Sequence, residues 1–311
     1  MNMSPSKFAP DPGAERPDAL HERGCVSNAA ADQLSLLDDF SVEITAKDVD
    51  HLDGAAQFLP ANTTVSITFL PGETFASRVD AAARVASLGF RPVPHLSARR
   101  LHSAGELEGF LDALAGRIAL EQVFVVAGDL PQATGPYEDA LAVIRSGLLK
   151  RYGVRHVGIA GYPEGHPNIN PDVLANAMLD KVAALNDMGL ESSIMTQFGF
   201  DAAPVLDWLT SLRQMGITSP VRIGVAGPAS ITTLLRFSAR CGVGASASVM
   251  KKYGLSLTKL IGSAGPDPLL ADLGAGLTTA RHGVTKIHFY PFGGLTNTAK
   301  WVRDYSDASR G

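Results

Sequence analysis

The sequence predicts an α/β fold, a single (β/α)8 barrel of the TIM type, on three observations. Eight short apolar, β-branched runs recur from residue 40 onward. Segments of helical period separate them. Polar residues able to do chemistry gather where the runs end.

The runs lie at residues 40–44, 63–69, 90–95, 122–127, 154–160, 192–196, 221–226 and 285–290. Most are almost continuously apolar, as parallel strands buried on both faces require. Between them, Leu107, Phe110, Leu111, Leu114 and Ile118 fall on one helical face of residues 105–118. Val205, Leu209 and Leu212 do the same in 202–215. Pro171 and Pro204 stand near helix starts, where a missing N–H costs little. Gly89, Gly153, Gly189 and Gly216 stand where a helix should end. Strand–helix alternation leaves a closed barrel and an open doubly wound sheet as topologies. Residues 230–284 are long enough for more than one helix, with breaks at Gly242 to Gly244 and Gly262 to Gly265.

The chain of 311 residues exceeds the ~250 that such a barrel needs. Residues 1–35, rich in Pro, Ala and charge, are expected to form a mobile tail, and 36–311 the barrel domain. A net charge of −4 without a basic stripe argues against a nucleic-acid partner. No apolar run approaches the ~18 residues of a membrane span, and the N-terminus lacks a signal-peptide core. Cys25 and Cys241 form no CxxC pair, so neither a metal site nor a disulfide framework is expected. Free thiols in a reducing, cytoplasmic setting are the plain reading. GxGxxG after a strand, GxxxxGK[ST], HExxH and GxSxG are all absent.

In a barrel, residues at strand ends converge on the C-terminal face, where active sites are built. Glu43 lies within the first run; Thr68 and Phe69 end the second and His95 the third. Gly128-Asp129 follows the fourth, Gly161-Tyr162 the fifth and Gln197 the sixth, and Tyr290 closes the eighth. Glu43, among apolar neighbours, is either a functional acid with a raised pKa or half of a structural ion pair. Asp129 is either a site residue or the cap of the next helix, although Pro131 and Thr134 suggest a longer loop. His95 and His166 read equally as site or loop histidines, and His288 as a core histidine.

Five segments together resemble the methylenetetrahydrofolate reductase family, from about Phe40 to Tyr290. Ser41-Val42-Glu43 resembles the strand bearing its catalytic glutamate. Val126-Ala127-Gly128-Asp129-Leu130-Pro131 resembles its RGD-L-P turn, and Gly161-Tyr162-Pro163-Glu164-Gly165-His166-Pro167 its YPExHP loop. Thr196-Gln197-Phe198-Gly199-Phe200-Asp201 resembles TQFFFD, and His288-Phe289-Tyr290 matches HFY.

The resemblance implies a FAD-bearing barrel that reduces 5,10-methylenetetrahydrofolate with NADH or NADPH, and a small-molecule folate partner; a homo-oligomer is expected because exposed barrel faces often pair. It implies Glu43 and Asp129 as catalytic residues. It assigns Thr68, His95, Ala127, Gly128, Asp129, Tyr162 and His166 to the cofactor, with Ile169 near the adenosine and Lys181 at the diphosphate. Phe69, Gln197 and Tyr290 form the substrate set. The chain departs from the pattern where Ile44-Thr45-Ala46-Lys47 replaces FFPP, Ala127 replaces the arginine of RGD and Gly224-Val225-Ala226-Gly227-Pro228 replaces GILPV. Gly294 stands where an arginine usually follows HFY. The departures leave open net use in the reverse direction, oxidising 5-methyltetrahydrofolate in one-carbon metabolism, and two alternatives stand beside the reductase: a flavin oxidoreductase with another acceptor, or a non-catalytic flavin- or folate-binding paralogue.

Overall fold

The computed structural model describes residues 36–243 and 263–308. The expected tail at 1–35 and Cys25 lie outside the described residues. Seven strands come first: β1 (Ser41–Ile44), β2 (Thr64–Ile67), β3 (Arg91–Ser97), β4 (Gln122–Val126), β5 (His156–Gly161), β6 (Glu191–Gly199) and β7 (Val221–Ala226). Two-residue strands β8 (Ala229–Ser230) and β9 (Ser263–Ala264) pair antiparallel by themselves, and β10 (Thr285–Tyr290) follows. The other eight close a barrel in the order β1-β10-β7-β6-β5-β4-β3-β2, every pair parallel. Closure by β1 against β10 decides between the two topologies left open by the sequence.

The described helices are α1 (Val49–Ala56), α2 (Phe75–Ser87), α3 (Ala104–Ala115), α4 (Ala140–Arg145), α5 (Leu148–Arg151) and α6 (Pro171–Asp187). They continue with α7 (Ala202–Gln214), α8 (Ile231–Cys241), α9 (Asp267–Gly276), α10 (Thr279–His282) and α11 (Leu295–Ala308). Three of these fall between β7 and β10, as the length of that stretch predicts. Their starts have local causes. Thr74 accepts from the Ser77 amide, Ser103 from that of Glu106 and Asp139 from that of Ala142. Asn170 caps α6, with Pro171 in its first turn. The four glycines expected to end helices all take positive φ. The predicted face of α3 is buried at Leu107, Phe110, Leu111 and Leu114, each burial contributing roughly 1.5–3 kcal/mol. Ile118 is buried too, but beyond the helix end.

Two boundaries bear on function. β2 ends at Ile67, so Thr68 and Phe69 stand beyond it rather than inside it. β6 runs to Gly199, past the predicted end at Thr196. Its register against β7 shifts between Met195 and Phe198, a β-bulge containing Thr196 and Gln197. Among the described residues, no helix is long and apolar enough to cross a membrane.

Candidate active site

The floor of the barrel mouth is built around Glu43. Its Oε2 lies 3.8 Å from Nε2 of His95 on β3 and 3.9 Å from Nε2 of His288 on β10. The Glu43 side chain keeps 18% exposure, so it meets both the interior and the mouth. Burial pushes its carboxyl pKa up, opposed by His95 and reinforced by Asp48. Burial also lowers His95 to about 4 and His288 to about 3. Both imidazoles are therefore neutral near pH 7, and the ion-pair reading of Glu43 finds no cation among the described residues. Neighbours hold each ring. His95 packs on Phe124 at 4.6 Å, and its carbonyl accepts from the buried Arg78 guanidinium. His288 Nδ1 is 2.8 Å from Ser41 Oγ.

The rim beside β4 has the opposite character. Asp129 accepts two bonds from Arg100, Nε to Oδ1 and Nη2 to Oδ2, each 2.8 Å. Its side chain is 62% exposed. Hydrogen bonding to Arg100 holds its carboxyl below the usual range, against a smaller desolvation effect, and Arg240 on α8 adds to the lowering. The Arg100 guanidinium also covers the Phe69 ring at 4.8 Å, tying the β2 and β4 ends together. The helix-cap reading of Asp129 fails because Asp139 caps α4. Gly128 turns the chain at φ 97°, a conformation L side chains rarely adopt.

The third side of the mouth is a narrow cleft lined by Tyr162, His166, Gln197, Phe198 and Cys241, among others. Tyr162 and His166 meet edge to face at 5.2 Å, and burial raises the Tyr162 phenol. Gln197 owes its position to the β6 bulge. Thr196 Oγ1 accepts from the Gly224 amide at 2.8 Å, and the Tyr290 hydroxyl donates to the Thr196 carbonyl at 3.0 Å. A Cβ at Gly224 would stand 2.4 Å from the Thr196 carbonyl oxygen and 2.8 Å from the Tyr290 ring. Only glycine allows this approach.

The methylenetetrahydrofolate reductase family model matches residues 40–293 of this chain. The chain belongs to this family. One relative, described as a probable methylenetetrahydrofolate reductase (NADPH) from Caenorhabditis elegans, is 30% identical over 151 residues. That match covers 47% of this chain and 22% of the relative, so the chain spans well under half of the relative's length. A solved structure of an uncharacterized Clostridium thermocellum protein, described as binding two copies of 5-methyl-5,6,7,8-tetrahydrofolic acid, superposes with a TM-score of 0.58. It covers 90% of this chain and 98% of its own at 11% identity, a likeness of fold.

Within this reductase-family barrel, the residues singled out from sequence are unequally gathered. Glu43 and His95 are neighbours, Tyr162, His166 and Gln197 share one cleft, and Phe69 joins Asp129 through Arg100. Thr68 is half-buried beyond β2, its amide donating to Ile44 O at 2.9 Å. Tyr290 closes β10 with its hydroxyl committed to Thr196. The Ala127 carbonyl accepts from the Arg99 amide at 2.9 Å. Ile169 is 37% exposed beside His166. Lys181 is half-buried on α6, its pKa lowered by burial and supported by Asp139.

Two residues escaped the sequence reading. Arg100 holds Asp129, and its signal was available: an Arg99-Arg100 pair directly after a barrel strand. His288 is fully buried, as a core histidine should be, yet it faces Glu43. Strand periodicity could have placed it inward, but not against that carboxyl.

Proposed function

We propose that this chain is a FAD-dependent 5,10-methylenetetrahydrofolate reductase, taking hydride from NADH or NADPH and forming 5-methyltetrahydrofolate. The observation that carries this reading is the contrast of two carboxyls at one mouth. Burial raises the Glu43 carboxyl toward its acid form, while hydrogen bonding to Arg100 shifts Asp129 further toward its anion. One can give a proton and the other can stabilise a cation.

The residues present fit a flavin. Gly128 adds no side chain at the rim, where a Cβ would meet Ser97 Cβ at 3.4 Å. Backbone can therefore approach a flat ring closely. Tyr162, Ala127, Thr68 and His95 would hold the flavin ring, with His166 and Ile169 on the adenosine side. Lys181 would supply a point charge for its diphosphate. Bound there, the flavin would carry hydride from the nicotinamide to the folate.

The chain's own residues then have distinct tasks. Glu43 transfers its proton to the bridge nitrogen whose bond to the methylene carbon breaks, opening the ring to a 5-iminium cation. The Asp129 carboxylate stabilises that cation. Hydride arriving at the iminium carbon gives the methyl product, so charge and atoms balance. Gln197 presents its amide to nicotinamide and pterin in turn, and Phe69 and Tyr290 frame the substrate.

A second reading changes the acceptor. Gly294 sits in a turn at φ 102°, with its amide on the Pro291 carbonyl at 2.9 Å, a conformation ill suited to an arginine. A folate carboxylate would need another partner. Steady-state turnover with methylenetetrahydrofolate and with menadione separates the readings. Folate reduction at rates comparable to menadione is expected; menadione reduction alone would favour another acceptor. A purified protein that neither carries nor takes up flavin would sink both.

A further inference from the structure

Taking Glu43 as the acid of that reaction, we infer that His288 is a positioning residue whose Nε2–H receives the Glu43 carboxylate once its proton has left. Ser41 sets the tautomer of the His288 ring. Its side chain is fully buried, and its hydroxyl has one partner among the described residues, His288 Nδ1 at 2.8 Å. A buried hydroxyl hydrogen without an acceptor is costly. Ser41 therefore donates to Nδ1, and the imidazole hydrogen sits on Nε2.

That Nε2 is buried without a hydrogen-bond partner, and so is Nε2 of His95. Both face the same oxygen, Glu43 Oε2, at 3.9 and 3.8 Å. These separations are too long for hydrogen bonds, which need roughly 3 Å. A torsional adjustment of Glu43 moving Oε2 by about 1 Å closes the gap. The Glu43 side chain has no hydrogen bond to the described residues that would resist it.

A protonated carboxyl can stay at the mouth beside substrate. A carboxylate in the same low-dielectric place lacks donors, and the remedy is a charge-assisted bond to the Nε2–H that Ser41 fixes on His288; His95 Nε2, at 3.8 Å, has no hydrogen bond among the described residues that sets its tautomer. Loss of the proton thus draws Glu43 downward, and its return releases the side chain to the mouth. The other groups facing Glu43 do not compete for this role. Tyr290 and Cys241 keep their protons because burial raises both, and Asp48 disfavours the carboxylate. Arg78 and Arg222 act on His95 and His288 respectively, discouraging protonation of the rings.

The test is an infrared difference titration of Glu43 in the full-length protein without folate, its band identified by loss in E43Q. His288→Asn keeps an acceptor for Ser41 and removes the Nε2–H. The Glu43 midpoint should rise by about one pH unit. His288→Gln, which places an amide N–H near the lost Nε2–H, should bring it back toward wild type. Ser41→Ala frees the tautomer and should give a smaller rise, an independent check should His288→Asn fold poorly. A midpoint unchanged or lowered in a normally folded His288→Asn, or in Ser41→Ala, overturns the inference. The titration reads no turnover, so it remains decisive even if the protein proves not to reduce folate. If it does, the high-pH limb of folate reduction moves up in His288→Asn while flavin reduction by nicotinamide is unchanged.

Discussion

The floor and the rim of the mouth each carry a carboxyl, and their surroundings push those carboxyls apart. Glu43 has two neutral imidazoles near 4 Å and 18% exposure, so burial dominates and favours its acid form. Asp129 is 62% exposed and gripped by Arg100, so hydrogen bonding dominates and favours its anion. The same functional group is shifted in opposite directions by solvent and partners alone. Strand-end position nominates residues in a barrel, but neighbours decide which way each one's pKa moves.

Breaking the floor should have the largest effect. Glu43→Gln keeps shape and removes the transferable proton. Folate reduction should fall by roughly 10²–10⁴-fold, the usual span of general acid catalysis, with flavin reduction by nicotinamide preserved. Stopped-flow measurement of the two half-reactions checks this, and equal losses in both would remove Glu43 from its role.

Next comes the wall between floor and cleft. Gly224→Ala would place a methyl 2.4 Å from the Thr196 carbonyl oxygen, so the β6 bulge must shift. About 1–3 kcal/mol of destabilisation is expected from the overpacking, together with a displaced Gln197 and weaker nicotinamide binding. Urea melts and nicotinamide titration read the two effects; a variant with wild-type values in both would show that the bulge tolerates a side chain.

The rim should respond least. Arg100→Ala frees Asp129 and lets its carboxyl pKa rise toward the ordinary value, an increase measurable by NMR. Folate reduction should change less than about tenfold because the pair is exposed and screened. A larger loss would mean that Arg100 itself contacts ligand.

Stability against pH separates the regions further. His95 and His288 have folded pKa values of about 4 and about 3, below the unfolded value of 6.5. The unfolded chain therefore binds more protons between those limits, and stability falls as pH drops from 6.5 toward 4. Glu43, raised in the folded state, contributes the opposite slope above 4.5. Urea melts across this range should show a net acid-side loss that His288→Asn reduces. An unchanged slope in that variant would contradict the burial of a neutral His288.

Much of the barrel could be read from sequence because parallel strands covered on both faces write nearly continuous apolar runs, as in residues 123–127. Cap glycines and the Asn170-Pro171 start were equally local signals. The missed features depend on partners distant in sequence. The β6 bulge needs Gly224 and Tyr290 to hold Thr196. The direction of His288 needs Ser41, 247 residues away. The grip on Asp129 needs a residue from a neighbouring loop. Periodicity gives the face of a residue, not what stands opposite it.

The reductase reading is tested most directly by mixing photoreduced, flavin-loaded protein anaerobically with methylenetetrahydrofolate. The oxidised flavin absorbance should return in a single turnover with one equivalent of 5-methyltetrahydrofolate formed. Reduced flavin that stays reduced with the folate, yet is reoxidised at once by menadione, would contradict it.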